Sequence, residues 1–437
     1  ADCASGQEQE VRLALASDRI HARPHTLAGA LGRGTKFSLG PSGKRLLVEE
    51  RGQLFTLPAE KGDVRNVAPA PGSRSKAAAW SPDGKWIASV SDRSGEENVW
   101  LAPAAGGGEP QCLTAESGLH LEGVAWSPDS KRLAFHDNAQ RLWLLELDGR
   151  AKTEVAHSDW TEIADYRFSP DGRWLAYART EGLFVSSLYL YDVAGKTTTR
   201  LTGPPTRDHQ PVFDPTGKYL YFLTERNVNA EEDGFDFQTN FSKTTKIWAL
   251  TLAADTPSPL PVESDEEPGS GAEARPAAEK PAEGKSAEAG KPAGEIPIAP
   301  PKLPDVKVDL DGIAGRLVEI PVEGGDYSRL EALPGKLVYL ARDEAAPPPS
   351  PGAPPPGSKL KMYDFEKKKE TDLASGVQAY ALSLDNKKIA VRTKAGLLVA
   401  DAGAPVAADA KAVSLDGWLI DVIPEMMEIA ERTLNWF

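Results

Sequence analysis

A short string recurs along this chain at nearly even spacing, and that recurrence narrows the possible folds more than any other feature. It reads Trp80-Ser-Pro-Asp-Gly-Lys-Trp-Ile87, then Trp126-Ser-Pro-Asp-Ser-Lys-Arg-Leu133, then Phe168-Ser-Pro-Asp-Gly-Arg-Trp-Leu175. Upstream, Phe37-Ser-Leu-Gly-Pro-Ser-Gly-Lys-Arg-Leu46 is a lengthened copy. Downstream, Phe213-Asp-Pro-Thr-Gly-Lys-Tyr-Leu220 and Leu382-Ser-Leu-Asp-Asn-Lys-Lys-Ile389 are looser ones. The second residues of these units lie at 38, 81, 127, 169, 214 and 383, and the first four intervals are 43, 46, 42 and 45 residues. Unrelated hairpins would not space themselves so evenly. A period of ~40–45 residues is that of one four-stranded blade in a radial all-β array.

The residue types explain the unit. An aromatic residue or Leu ends a strand and faces the neighbouring blade. Pro then presets φ, Asp or Ser bonds its own backbone, and Gly accepts the positive φ of the turn. Runs such as Trp86-Ile-Ala-Ser-Val-Ser91 and Val99-Trp-Leu101 supply the strands that follow.

Between positions 214 and 383 the repeat disappears for 169 residues. Much of this interval, about 255–304 and 344–358, is rich in Pro, Ala, Glu, Gly and Lys. Such tracts bury too little apolar surface to offset their ordering entropy, so they read as disordered insertions. Without them one further blade fits, beginning near Leu330-Glu-Ala-Leu-Pro-Gly-Lys-Leu-Val-Tyr-Leu340 and continuing through Lys359-Leu-Lys-Met-Tyr-Asp364. The expected fold is therefore all-β, a seven-bladed β-propeller of four-stranded antiparallel blades over residues 37–416, with short flanking segments. The first tract is expected between blades 5 and 6 and the second within blade 6. No strand need be borrowed to close the ring, and the last blade should end near Val413. Residues 1–36 read as the exit from a preceding propeller or a strap. Residues 417–437 read as a linker and the start of a helical domain, so the chain resembles a fragment.

Composition excludes some functions. The net charge of −14 argues against nucleic-acid binding. No apolar run approaches the length of a membrane span, so the chain reads as soluble, cytoplasmic or periplasmic. Two cysteines, Cys3 and Cys112, are too few for a disulfide framework or a thiolate metal site, and Cys112 reads as a packed core residue. No Gly-x-Ser-x-Gly elbow occurs. Gly284-Lys-Ser286 resembles the tail of a phosphate loop, but Glu279 stands where its first Gly belongs. His21 and His25 have the spacing of a metal-binding helix, which Pro24 forbids. No cofactor, metal site or catalytic residue is expected within the chain. The other histidines, 120, 136, 157 and 209, read as loop residues. Binding by propellers usually uses the axial channel or the face carrying the loops between blades. On that face Arg93, His120, Arg179, His209 and Arg226 are the candidate contacts for a peptide carboxylate, with surface ion pairing as the plainer alternative for each.

One set of segments is more specific than the turn motif. Ser17-Asp-Arg-Ile-His-Ala-Arg-Pro24, Phe55-Thr-Leu-Pro-Ala-Glu-Lys-Gly-Asp-Val-Arg-Asn66, the unit at Trp80, the unit at Phe213 and Val308-Asp-Leu-Asp-Gly-Ile313 occur in this order. In that order they resemble the tricorn-type serine peptidases. The resemblance implies the second, seven-bladed propeller of such an enzyme, which guides peptides to or from a buried site. It also implies downstream PDZ-like and catalytic domains as partners, and leaves a homo-oligomer open. The family's nucleophile and its partners have no counterpart here. A non-enzymatic interaction propeller of the TolB type, or the regulatory propeller of a prolyl-oligopeptidase-like enzyme, remains an alternative from the residues alone.

Overall fold

Each repeated unit closes a hairpin, and in four of them a buried serine holds the turn together. Ser81 Oγ donates to the Asp83 carboxylate at 2.6 Å and accepts the Trp86 N–H at 2.9 Å. Ser127 does the same with Asp129 and Arg132, Ser169 with Asp171 and Trp174, and Ser383 with Asp385 and Lys388. In blade 5 the polarity is reversed: Asp214 occupies the serine position and accepts from Thr216 Oγ1, which stands in the aspartate position.

The computed structural model describes residues 36–261, 303–342, 357–407 and 412–413, apart from 71, 184, 205, 229 and 233–238. The segments read from sequence as an incoming strap, an outgoing helix and most of the first tract lie outside these residues. Seven antiparallel sheets succeed one another along the chain, beside one small hairpin. Blade 1 runs from Lys36–Leu39 to Arg65–Asn66, blade 2 from Ser75–Trp80 to Gln111–Cys112, and blade 3 from Leu121–Trp126 to Lys152–His157. Blade 4 runs from Tyr166–Phe168 to Thr197–Arg200, blade 5 from Asp208–Phe213 to Leu317–Glu319, and blade 6 from Tyr327–Leu333 to Lys369–Val377. Blade 7 has three strands, Ala379–Leu382, Lys388–Thr393 and Gly396–Asp401. The fourth position of blade 7 is met by an isolated bridge from Ala412 to Leu398 and by the Val413 N–H on the Leu397 carbonyl at 2.7 Å. The seven-bladed expectation therefore holds.

The core is divided among the seams. Leu47 and Leu54 of blade 1 pack with Trp80 and Ile87 of blade 2. Val90 and Val99 meet Leu121 and Phe135 between blades 2 and 3, and Leu142 and Val155 meet Tyr177 and Tyr191 between blades 3 and 4. Leu188 and Leu190 meet Phe213 and Phe222 across the next seam, Tyr221 and Ile247 meet Leu337 and Tyr339 across the one after, and Leu360 and Met362 meet Ile389 and Val391 across the sixth. The ring closes where Leu46, Val48 and Phe55 of blade 1 pack on Ala390 and Leu397 of blade 7. Since burial of apolar surface is the dominant favourable contribution, each blade is held by both neighbours.

Two expectations need correction. The first tract does not follow blade 5; it leaves between that blade's third strand, Lys246–Thr251, and its fourth, Leu317–Glu319, which pair directly. The chain on either side of it packs on the blade. Tyr219 donates to the Pro257 carbonyl at 2.9 Å, and Val306 and Ile313 are buried in the seam between blades 4 and 5. Cys112 is half-buried on the outermost strand of blade 2, with Sγ against the Thr114 carbonyl, rather than in the core. Among the described residues no helix is long and apolar enough to cross a membrane.

Candidate functional site

The innermost strands surround the axis, and four of them share one irregularity. In blade 2, Lys76 lies opposite Val90 but Ala79 lies opposite Ala88, so three steps on the inner strand match two on its partner. The same slip separates Glu122 from Ala125, His209 from Val212 and Ser328 from Glu331. The residue after each slip begins is left-handed: Ala77 at φ 52°, Gly123 at 58°, Gln210 at 50° and Arg329 at 53°. Such bulges turn backbone groups out of the ladder and re-aim side chains. A left-handed non-glycine residue persists only where its surroundings hold it there.

The neighbouring blades do the holding. Glu49 of blade 1 accepts the Ala77 N–H at 2.8 Å, Asp165 of blade 4 accepts the Gln210 N–H at 3.2 Å, and the Gln210 side chain accepts the Leu330 N–H at 3.2 Å. Tyr166 donates to the Gly123 carbonyl and Tyr380 to the Arg329 carbonyl. A Cβ at position 123 would stand 2.6 Å from the Tyr166 hydroxyl, so only glycine permits this contact.

Charge collects at the same level. Lys76 is nearly buried, and its ammonium lies 2.9 Å from Glu97 and 2.7 Å from Glu122. Burial would lower the Lys76 pKa, but the two carboxylates outweigh it and raise it. Burial acts the opposite way on Glu122, and Lys76 prevails there too, holding that carboxylate below its ordinary value. On Glu49 burial prevails and pushes the pKa up, against Lys36 and the Ala77 N–H. Arg167 of blade 4 and Glu331 of blade 6 pair at 2.7 Å, passing over blade 5. Arg167 lies opposite Ala176 and Glu331 opposite Val338, the rung that Ala79 and Val212 fill in blades 2 and 5. Glu331 is the chief cause of a raised Arg167 pKa.

Two cavities lie along the inner strands. One, of about 430 Å³, is bounded by blades 1, 2, 6 and 7, and its charged lining is Lys36, Glu49, Arg329 and Arg392. The other, of about 220 Å³, is bounded by blades 4 to 7 and is lined by Asp165, Arg167, Arg329 and Glu331 among others. Arg329 borders both.

The five residues singled out from sequence line neither cavity. Arg93 donates to the Ala68 carbonyl at 2.9 Å and lies over the Trp100 ring. His120 is exposed, with Nδ1 3.6 Å from Glu97. Arg179 donates to the Tyr189 hydroxyl at 2.7 Å and covers that ring. His209 sits on the inner strand of blade 5; burial lowers its pKa, against Asp165 and Glu225. Arg226 donates to the fully buried Asp208 at 3.0 Å and lies over Trp248. Arg93, His120, Arg179 and Arg226 are engaged by their own neighbours, whereas His209 Nδ1 is buried without a hydrogen-bond partner. No hydrogen bond or ion pair joins any two of the five among the described residues. Of the histidines read as loop residues, His157 and His209 lie in strands, and His136 is buried in the second strand of blade 3, against the Tyr166 hydroxyl at 3.2 Å. The lining residues Arg167, Arg329 and Glu331 were missed because no motif marks them; the left-handed turn at Arg329 and its counterparts is hinted at only by Gly123. Among the described residues no three His, Cys, Asp or Glu side chains come together to hold a metal.

Comparison with known proteins agrees with this architecture. A family profile described as the tricorn protease second beta propeller domain matches residues 34–403. Tricorn protease homolog 1 of Streptomyces coelicolor is 26% identical over 361 residues, which is 80% of this chain and 32% of that protein. The tricorn protease homolog of Saccharolobus solfataricus is 26% identical over 302 residues, 69% of this chain and 25% of that protein. The crystal structure of the tricorn protease superposes with a TM-score of 0.70 at 18% identity, covering 92% of this chain and 36% of that one. The chain thus spans about a third or less of the length of these relatives. By its sequence and its seven blades, this chain belongs to the tricorn protease second β-propeller family.

Proposed function

We propose that this propeller conducts or holds peptides along its axis for a tricorn-like serine peptidase and does no bond-breaking itself. The observation that carries the reading is the polar, charged lining of the axial cavities, built from bulged inner strands that neighbouring blades pin in place. An extended peptide offers backbone donors and acceptors along its length and charge at its ends, and this lining offers partners for both. The hydrolytic residues belong, on this reading, to PDZ-like and catalytic domains of a parent protein, in a homo-oligomeric assembly.

The test is binding of dye-labelled peptides to this chain, followed by anisotropy, with Ala379→Trp as the blocking variant. Ala379 lines the larger cavity, and an indole would fill much of it. Peptide affinity is expected to fall at least about tenfold with the far-UV spectrum unchanged. Unaltered affinity in a folded variant would remove the axial reading. Labelling of this chain by a serine-hydrolase probe would remove its non-catalytic part.

A further inference from the structure

The lining of the larger axial cavity carries three cations, Lys36, Arg329 and Arg392, and one carboxylate, Glu49, which already accepts the Ala77 N–H. Two other acids on the inner strands are already paired, Glu331 with Arg167 and Glu122 with Lys76. Arg329 is exposed to the cavity, and among the described residues its guanidinium makes no hydrogen bond or ion pair. It is nonetheless fixed in a left-handed conformation, with its carbonyl held by Tyr380 and the next N–H by Gln210. A strained, cross-braced backbone that presents an unpaired guanidinium is the arrangement expected of a ligand contact. Arg392 lies across the cavity, within electrostatic reach of Glu50.

We propose that this cavity is a carboxylate-binding site, in which Arg329 grips the carboxylate of a peptide and Lys36 and Arg392 flank it. The proposal rests on the axial reading above and adds the chemical group that is recognised. A guanidinium matches a carboxylate through two parallel N–H donors, which an ammonium does not. The group has two sources, a free C-terminus or an acidic side chain.

The experiment compares three labelled heptapeptides on the 437-residue chain: one with a free C-terminus and no acidic residue, its C-terminal amide, and the amide with a central Asp. The acid is expected to bind at least about tenfold more tightly than the plain amide, and Arg329→Gln should erase that gap. Arg329→Lys should restore part of it. Lys36→Gln, at an exposed strand start, should narrow the gap without disturbing the brace at Arg329. Tight binding of the Asp-containing amide would identify the side chain as a source and still support the site. Equal affinity of acid and plain amide for the wild-type chain would overturn the carboxylate site while leaving axial binding intact. Failure of all three peptides to bind would overturn both.

Discussion

Replacing Ser169 with Ala tests the idea that buried serines, rather than proline and glycine alone, hold the blade turns. Ser169 is fully buried; its hydroxyl donates to Asp171 and accepts the Trp174 N–H at 2.9 Å. Alanine leaves that N–H, on a nearly buried residue, with no acceptor, a loss of about 1–3 kcal/mol. Asp171 keeps the Arg173 N–H at 3.0 Å and the Val306 N–H at 3.2 Å and is partly hydrated, so its loss lies at the low end of the range for charged groups, about 1.5 kcal/mol. The sum is about 3 kcal/mol. Urea denaturation followed by tryptophan fluorescence reads it as a fall in midpoint of up to about 1 M, taking a slope of about 3 kcal/mol/M or more for a chain of this size. Ser117→Ala, on an exposed linker residue, serves as control and should stay within about 0.5 kcal/mol. If Ser169→Ala moved the midpoint no more than Ser117→Ala, the polar account of the turns would be refuted.

Three further outcomes follow from the charge arrangement. Arg226→Met removes the partner of fully buried Asp208, which keeps only the Thr224 and Thr206 hydroxyls, and should destabilise by about 3 kcal/mol in the same assay. Glu331→Gln breaks a pair that joins two non-adjacent blades, yet both partners are a third or more exposed, so the loss should stay under about 1 kcal/mol. Burial keeps His136 neutral in the fold, prevailing over Glu162, Glu122, Asp137 and Asp165, so its folded pKa is depressed. The unfolded chain then takes up the proton first, and stability should fall as pH drops below about 6.5. Denaturation at pH 7.5 and 5.0 should show a smaller difference for His136→Gln than for the wild type; an equal difference would refute the assignment.

The blade count was legible because each turn spells itself in Pro, Asp and Gly, residues whose backbone preferences act locally. Blade 6 was found from its apolar run at Leu337–Leu340, and its inner strand starts at Tyr327, three residues before the sequence placed it. The axial lining was not legible. A one-residue slip in a ladder leaves no mark in a string such as Lys76-Ala-Ala-Ala79, and Arg167 and Glu331 are 164 residues apart. The placement of the Pro- and Ala-rich tract failed for a related reason. Leu317–Glu319 is a strand of three residues, too short for any periodicity to show, and it alone decides which blade the tract interrupts.

The seven seams have a geometric consequence for the lumen. Wedges closing into a ring must together complete one revolution, so no seam can thicken unless others thin. A bulkier side chain at Leu188, far out between blades 4 and 5, would tilt its two wedges apart and press on the other six joints. The aperture at the axis is thus set collectively, in the manner of an iris, and residues that never see the lumen help determine its width.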